Sequence, residues 1–270
     1  MTTFKALFNQ MGKKKRRSVY LLALLQLVAG SVFALWAFFS NGGAFSNTDK
    51  PLAWFVMVAT FTPFTDIAYV ILSAWQNEKE YSSQTWRLVP ISSSKFYLAN
   101  ILSAIVNGLY LVLIQIGMGI VTFLPAFLSK DIRTNIWQQI NQAFGKETHF
   151  WQKVSDSFPI GEILSAFLAF LLFAILVYSI ITTLNLSSRT ITDFLPDKHS
   201  KLVRFVIMII LIFIFIVLTN NLGGLLNQLR WGDTDNGLLA FAESNLVMAL
   251  IDIILGSINI WLLKEFHEGK

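Results

Sequence analysis

The chain has 270 residues, 54% of them hydrophobic and 14% charged, with a net charge of +5. Soluble domains carry roughly a quarter charged residues, so this composition, with a mean hydropathy of +0.59, excludes an ordinary soluble globule and points to a membrane protein. Cysteine is absent, which rules out a disulfide framework, a thiolate nucleophile and a Cys-ligated metal site, and the basic residues lie beside apolar runs, which suits anionic lipid headgroups and not nucleic acid.

Residues 1–17 open with Phe4, Leu7, Phe8 and Met11 at helical spacing, followed by the basic run Lys13 to Arg17. This pattern predicts a short amphipathic helix along the cytoplasmic leaflet, ending in a positive anchor for the first span. The apolar run that follows is too long for a cleaved signal peptide and lacks a small-x-small site.

A helix needs about 20 apolar residues to cross the hydrocarbon core. Six stretches meet or approach this length: Ser18–Phe39, Leu52–Ala74, Phe96–Phe127, Ile160–Leu184, Leu202–Thr219 and Leu238–Leu263. The third exceeds one span and is expected to tilt or to project. Six spans place both termini on one side. That side collects fifteen Lys and Arg against six on the other, which makes it cytoplasmic. The expected architecture is a single all-α integral membrane domain over 1–270.

Two external segments carry their own patterns. Residues 129–159 place Ile132, Ile136, Trp137, Ile140 and Phe144 at helical spacing, as in an amphipathic helix on the outer leaflet. Residues 220–237 mix glycine pairs with Leu and Trp. They fit either a short helix dipping into the membrane or an aromatic-anchored surface loop.

The chain has no GxxxxGK[ST] motif: Gly12-Lys13 and Gly145-Lys146 lack the upstream glycine and the following hydroxyl residue. There is no HExxH or GxSxG, and His149, His199 and His267 are not paired at ligand spacing. No cofactor or metal is expected. Ionisable residues inside the spans are few and are functional suspects. Asp66 follows Pro63, which should break or kink the second span, with Thr62 and Thr65 able to cover freed carbonyls. Asp252 lies in the last span. Asp66, Pro63 and Asp252 either line a substrate route or, for the two acids, are structural groups satisfied by neighbouring helices. Gln26, Asn107 and Gln115 read as interhelical hydrogen-bonding groups, and Gly30, Ala34, Gly108, Gly117 and Gly119 as positions of close helix packing.

The most polar interruption is Trp75 to Asn100, WQNEKEYSSQTWRLVPISSSKFYLAN. Trp75 marks the interface, and the helix can continue to Tyr81. Ser82 and Ser83 can cap a short helix over Gln84–Val89. Pro90 ends it, and Ser92 to Ser94 can cap the next span. The order E-K-E, T-W-R-L, P-I-S-S-S-K, entering a long apolar helix, resembles the cytoplasmic loop of type-2 ABC exporter permeases. The amphipathic start and the interrupted segment before the last span are also similar to that family. Gln84 stands where the family has glycine. The length and Trp-rich loop resemble the small permeases of Gram-positive bacteriocin-immunity and peptide-export systems.

The resemblance implies a permease subunit in a bacterial plasma membrane, with ATP hydrolysis on separate cytoplasmic ABC ATPase subunits. Glu78, Glu80, Thr85, Trp86, Arg87, Leu88 and Pro90 would couple to that ATPase. A second permease chain, identical or related, would complete the assembly among membrane lipids, and the cargo would be a peptide or another amphipathic compound. Two alternatives from other classes are a membrane-embedded enzyme using Asp66 and Asp252, and a non-transporting scaffold or sensor.

Overall fold

The computed structural model describes residues 3–39, 50–81, 83, 90–130, 132–135, 137–138, 160–193, 206, 209–210, 213 and 237–267. Among these there is no strand. Helix α1 is Phe4–Phe39. A 3-10 turn at Lys50–Leu52 leads into α2 (Ala53–Thr60), followed by α3 (Thr62–Tyr81), α4 (Ser93–Leu128), α5 (Ile160–Asp193) and α6 (Gly237–His267). Among the described residues, five helical stretches are long and apolar enough to cross a membrane: Phe4–Phe39, Lys50–Tyr81, Ser93–Leu128, Leu164–Ile191 and Ala242–Glu265. They correspond to five of the six expected spans. Most of the remaining span, 202–219, lies outside the described residues, as do 220–236 and 139–159. Residues 132–135 and 137–138 are helical, as the pattern of that segment predicts.

The amphipathic start is helical, but it does not bend away from the first span. Its buried positions include Leu7, Met11, Lys15, Val19, Leu22, Gln26, Gly30, Ala34 and Ala37, with Gly12 and Ala23 beside that line. Steps of four and three residues form one continuous stripe, so the face that reads as lipid-facing at residues 4–11 is part of the same protein-packed face further along. No proline interrupts it. At 36 residues the helix is roughly 54 Å long against a hydrocarbon core of about 30 Å, so its basic first turns project beyond the core.

The chain divides into two compact units. The first comprises Lys5–Gln76 and Leu102–Pro159. Its apolar core joins Val19, Leu22 and Ala23 of α1 to Tyr69 of α3 and Leu111 of α4. Close approach depends on small residues. A Cβ on Gly30 would lie 2.5 Å from Val58 Cγ2 and 2.8 Å from Val58 Cα, and one on Gly108 would lie 3.1 Å from the Tyr69 ring. Gly119 meets Phe55 only at ordinary contact distance and Gly117 meets nothing within 4 Å, so these two do not carry close packing. Polar groups brace the same unit: Tyr69 donates to the Ala104 carbonyl at 2.5 Å, Gln76 to Ser18 at 2.7 Å, and the buried Lys15 to Ser103 at 2.6 Å. Asn107 bonds back to Ser103 of its own helix and does not act as the interhelical group its sequence position suggests.

The second unit contains Asn77–Ile101 and Ile160–Lys270. Here α5 and α6 pack together and run parallel. Asn245 meets Ser165, and fourteen residues further along both helices Asn259 meets Ser179. A separation of two heptads on each helix keeps the polar positions on the shared seam. Parallel packing also means that the chain leaves α5 at one end of the pair and enters α6 at the other.

Candidate functional site

In the first unit the polar centre grows from the break in the second span. Pro63 has no amide hydrogen to give Ala59 and its ring cannot continue α2. The chain stops at Thr60, turns at Phe61 and restarts at Thr62, which leaves Pro63 in the first turn of α3 where the missing donor costs least. The carbonyls at the break are covered. Phe61 N–H reaches the Val58 carbonyl at 3.2 Å, and Thr65 Oγ1 donates to the Phe61 carbonyl at 2.9 Å. Thr62 has a different part from the expected one, accepting from Gln26 at 3.0 Å.

Gln26 ties α1 to this break. Its Nε2 also donates to the Val58 carbonyl at 3.2 Å, and its Oε1 accepts from Gln115 Nε2 of α4 at 3.2 Å. Gln115 Nε2 reaches Asp66 Oδ1 at 2.9 Å. One relay therefore joins four helices, Val58 of α2 and Thr62 of α3 to Gln26 of α1 to Gln115 of α4 to Asp66 of α3. Gln26 and Gln115 are the interhelical groups expected of them. Asp66 and Pro63 share α3, one turn apart at the head of this relay, and Asp66 is held by a neighbouring helix. Beside the relay lies a cavity of about 470 Å³, within the range of roughly 300–1,000 Å³ typical of ligand pockets, lined by Gln26, Thr62 and Gln115 on its polar side and by Phe55, Ile116 and Phe123 among its apolar walls.

In the second unit the polar connection is anchored where it leaves and re-enters the helices. Helix α3 ends at Tyr81, as expected from the sequence, and α4 starts at Ser93. Glu78 and Glu80 are buried, Glu80 with 1% of its surface exposed. The Glu78 carboxylate accepts from Asn185 Nδ2 of α5. Asn100 Nδ2 of α4 donates to the Asn77 carbonyl of α3 at 3.3 Å. The Tyr81 ring stacks on Tyr97 at 6.2 Å and meets Phe96 edge-on at 5.7 Å. Pro90 is exposed. Thr85, Trp86, Arg87 and Leu88, with the short helix expected at Gln84–Val89, lie outside the described residues.

Deeper in the same unit, Asn259 of α6 collects three partners. Its Nδ2 donates to Tyr97 Oη and to the Ser179 carbonyl, both at 3.0 Å, and its Oδ1 accepts from Thr183 at 2.9 Å. The sequence reading did not single out Asn259. Its signal is the spacing Asn245, Asp252, Asn259, seven residues apart on one helix face. Asp252 sits between the other two, and both its carboxyl oxygens are shielded from solvent and meet no donor among the described residues. A shielded carboxyl without a donor is costly.

Comparison with protein-family models, with curated proteins and with solved structures finds no match for the chain.

Proposed function

We propose that the chain is the membrane-spanning subunit of an exporter whose ATP hydrolysis takes place on a separate cytoplasmic subunit docked at residues 84–89. The observation that carries this reading is the way the polar connection is footed. A loop that only joined two spans would need no buried charge at its base. Here Glu78, Glu80, Tyr81, Tyr97 and Asn100 are buried together at the two helix ends, and Glu78 is bonded on to α5. A force applied at the connection would reach α3, α4 and α5 through these contacts and would not be absorbed by a slack turn. The motif order from Glu78 to Lys95, which resembles the coupling loop of type-2 ABC exporter permeases, supports the same reading. It implies a bacterial plasma membrane, a second permease chain and an amphipathic or peptide cargo.

The test is affinity purification from native membranes. A stoichiometric ATPase is expected with the natural sequence. The double variant Trp86→Ala, Arg87→Glu is expected to insert normally and to lose that ATPase. Unchanged association would overturn the docking assignment, and absence of any ATPase from the natural chain would overturn the permease reading.

A further inference from the structure

We propose that Arg16, Tyr20 and Tyr110 form a binding site for the headgroup of an anionic phospholipid, at the edge of the groove between α1 and α4. A run of basic residues attracts an anionic surface diffusely. Here one member of the run is held in a defined place. The Arg16 guanidinium lies over the Tyr110 ring, 5.5 Å from its centroid. The Tyr20 and Tyr110 rings meet edge-on at 5.9 Å, and their hydroxyls are hydrogen-bonded at 3.0 Å. Next to Arg16, the buried Lys15 donates to Ser103 of α4 and fixes the rotation of α1.

The cluster is short of an anion. A ring face steadies a guanidinium and leaves its planar fork of N–H donors unused. Arg16 is exposed, and its donors meet no carboxylate or carbonyl among the described residues. Neither α1 nor α4 contains an aspartate or a glutamate, so the helices that build the cluster cannot supply the charge. The tyrosine pair has two hydroxyl protons, and the bond between them uses one. The other is left for an acceptor outside the pair. A phosphodiester anion complements both features, with two oxygens for the Arg16 fork and one for the hydroxyl.

The position selects a lipid over a free phosphate. Arg16 stands two residues before the first apolar run and Tyr20 just inside it, at the level where tyrosine rings gather at the membrane–water interface. Deeper on the same faces are Leu24, four residues past Tyr20, and Leu113, three past Tyr110. Each keeps 64% of its surface exposed. A Cβ on Gly117 would meet nothing within 4 Å, so the surface beside Leu113 is open. An acyl chain fits along these positions while its phosphate stays at Arg16. This inference rests on the membrane setting and not on the exporter reading, so loss of ATPase association leaves it standing.

The probe is phosphatidylglycerol with a diazirine on one acyl chain, photolysed on the full chain in phosphatidylcholine nanodiscs. Label is expected on the peptides containing Leu24 and Leu113. Unlabelled phosphatidylglycerol should displace it, and inorganic phosphate should not. Arg16→Gln should weaken that competition about tenfold, the scale of one charge-assisted contact. Arg17→Gln loses the same charge about 100° further round the helix and should leave competition within about twofold of the natural chain. Tyr20→Phe with Tyr110→Phe keeps both rings and should weaken competition about fivefold, a second reading if Arg16→Gln does not insert. Equal losses in Arg16→Gln and Arg17→Gln would reduce the site to diffuse attraction and overturn it. Equal labelling by a phosphatidylcholine probe would overturn the anionic headgroup, and displacement by inorganic phosphate would overturn the lipid.

Discussion

At the scale of single residues, the glycines separate into those that carry a helix crossing and those that do not. The missing Cβ of Gly30 lets α1 lie against the backbone of α2 at Val58, and this places Gln26, one turn earlier, within reach of the Val58 carbonyl. Gly30→Ala would force that backbone to move, because one of the clashing atoms is Val58 Cα. The expected cost is about 1–3 kcal/mol. Gly117→Ala meets nothing and replaces a poor helix former, so it should be neutral or stabilising by up to about 1 kcal/mol. Thermal unfolding of the two variants in detergent should show shifts of opposite sign or, at the least, a clear drop for Gly30→Ala alone. The sequence could mark both positions as small but could not tell them apart. Spacing along one helix carries no information about where a neighbouring backbone passes.

At the scale of elements, the clearest agreement between sequence and structure lies in the second span. Proline chemistry is local, so a break at Pro63 could be read directly, and the break falls at Phe61. The end of α3 at Tyr81 was legible for the same reason. The start of α1 was not, because residues 4–11 have an amphipathic face that suits a lipid surface and a protein groove equally. Only the stripe continuing through Lys15 and Gln26 decides between them. The seam of α5 and α6 was partly legible. Asn245 and Asn259 sit a heptad either side of Asp252, but a polar residue in a span does not reveal how many partners it will find. Asn259 finds three and Asn245 only Ser165. Interhelical hydrogen bonds in membranes contribute about 0.6 kcal/mol each on average. Asn259→Ala should therefore cost about 2 kcal/mol and Asn245→Ala about 1 kcal/mol or less. Unfolding in mixed micelles would check this order, and a larger loss for Asn245→Ala would contradict the assigned seam.

At the scale of the whole molecule, the parallel pair α5 and α6 bears on the number of crossings. The chain between them, 194–236, has to return from one end of the pair to the other, which is what an apolar run at 202–219 would accomplish. A crossing there would bring the five spans found among the described residues to the six expected from the sequence, and would put both termini on the side expected to be rich in Lys and Arg. The absence of cysteine makes this directly measurable, since any introduced thiol is the only one. In intact cells Asp233→Cys should react with an impermeant maleimide. Asp197→Cys should react only after the membrane is opened. Labelling of both from outside would remove the fifth crossing. The polar relay and the anchored connection could not be assembled from sequence at this scale. Gln26 and Gln115 are 89 positions apart and Glu78 and Asn185 are 107 apart, and no periodicity links residues across such distances.

The break at Phe61 has a mechanical consequence for the two helices that leave the polar connection. As rigid rods they have unequal reach. Helix α3 carries 20 residues from Tyr81 back to Thr62, roughly 30 Å, whereas α4 carries 36 residues from Ser93 to Leu128, roughly 54 Å. Within the first unit α3 therefore reaches only back to the break at Phe61, whereas α4 runs past it to Leu128, with Pro125 near its end. Because Pro63 gives no amide hydrogen to Ala59, a tilt of α3 can be taken up at Phe61 without carrying α2 through the same angle.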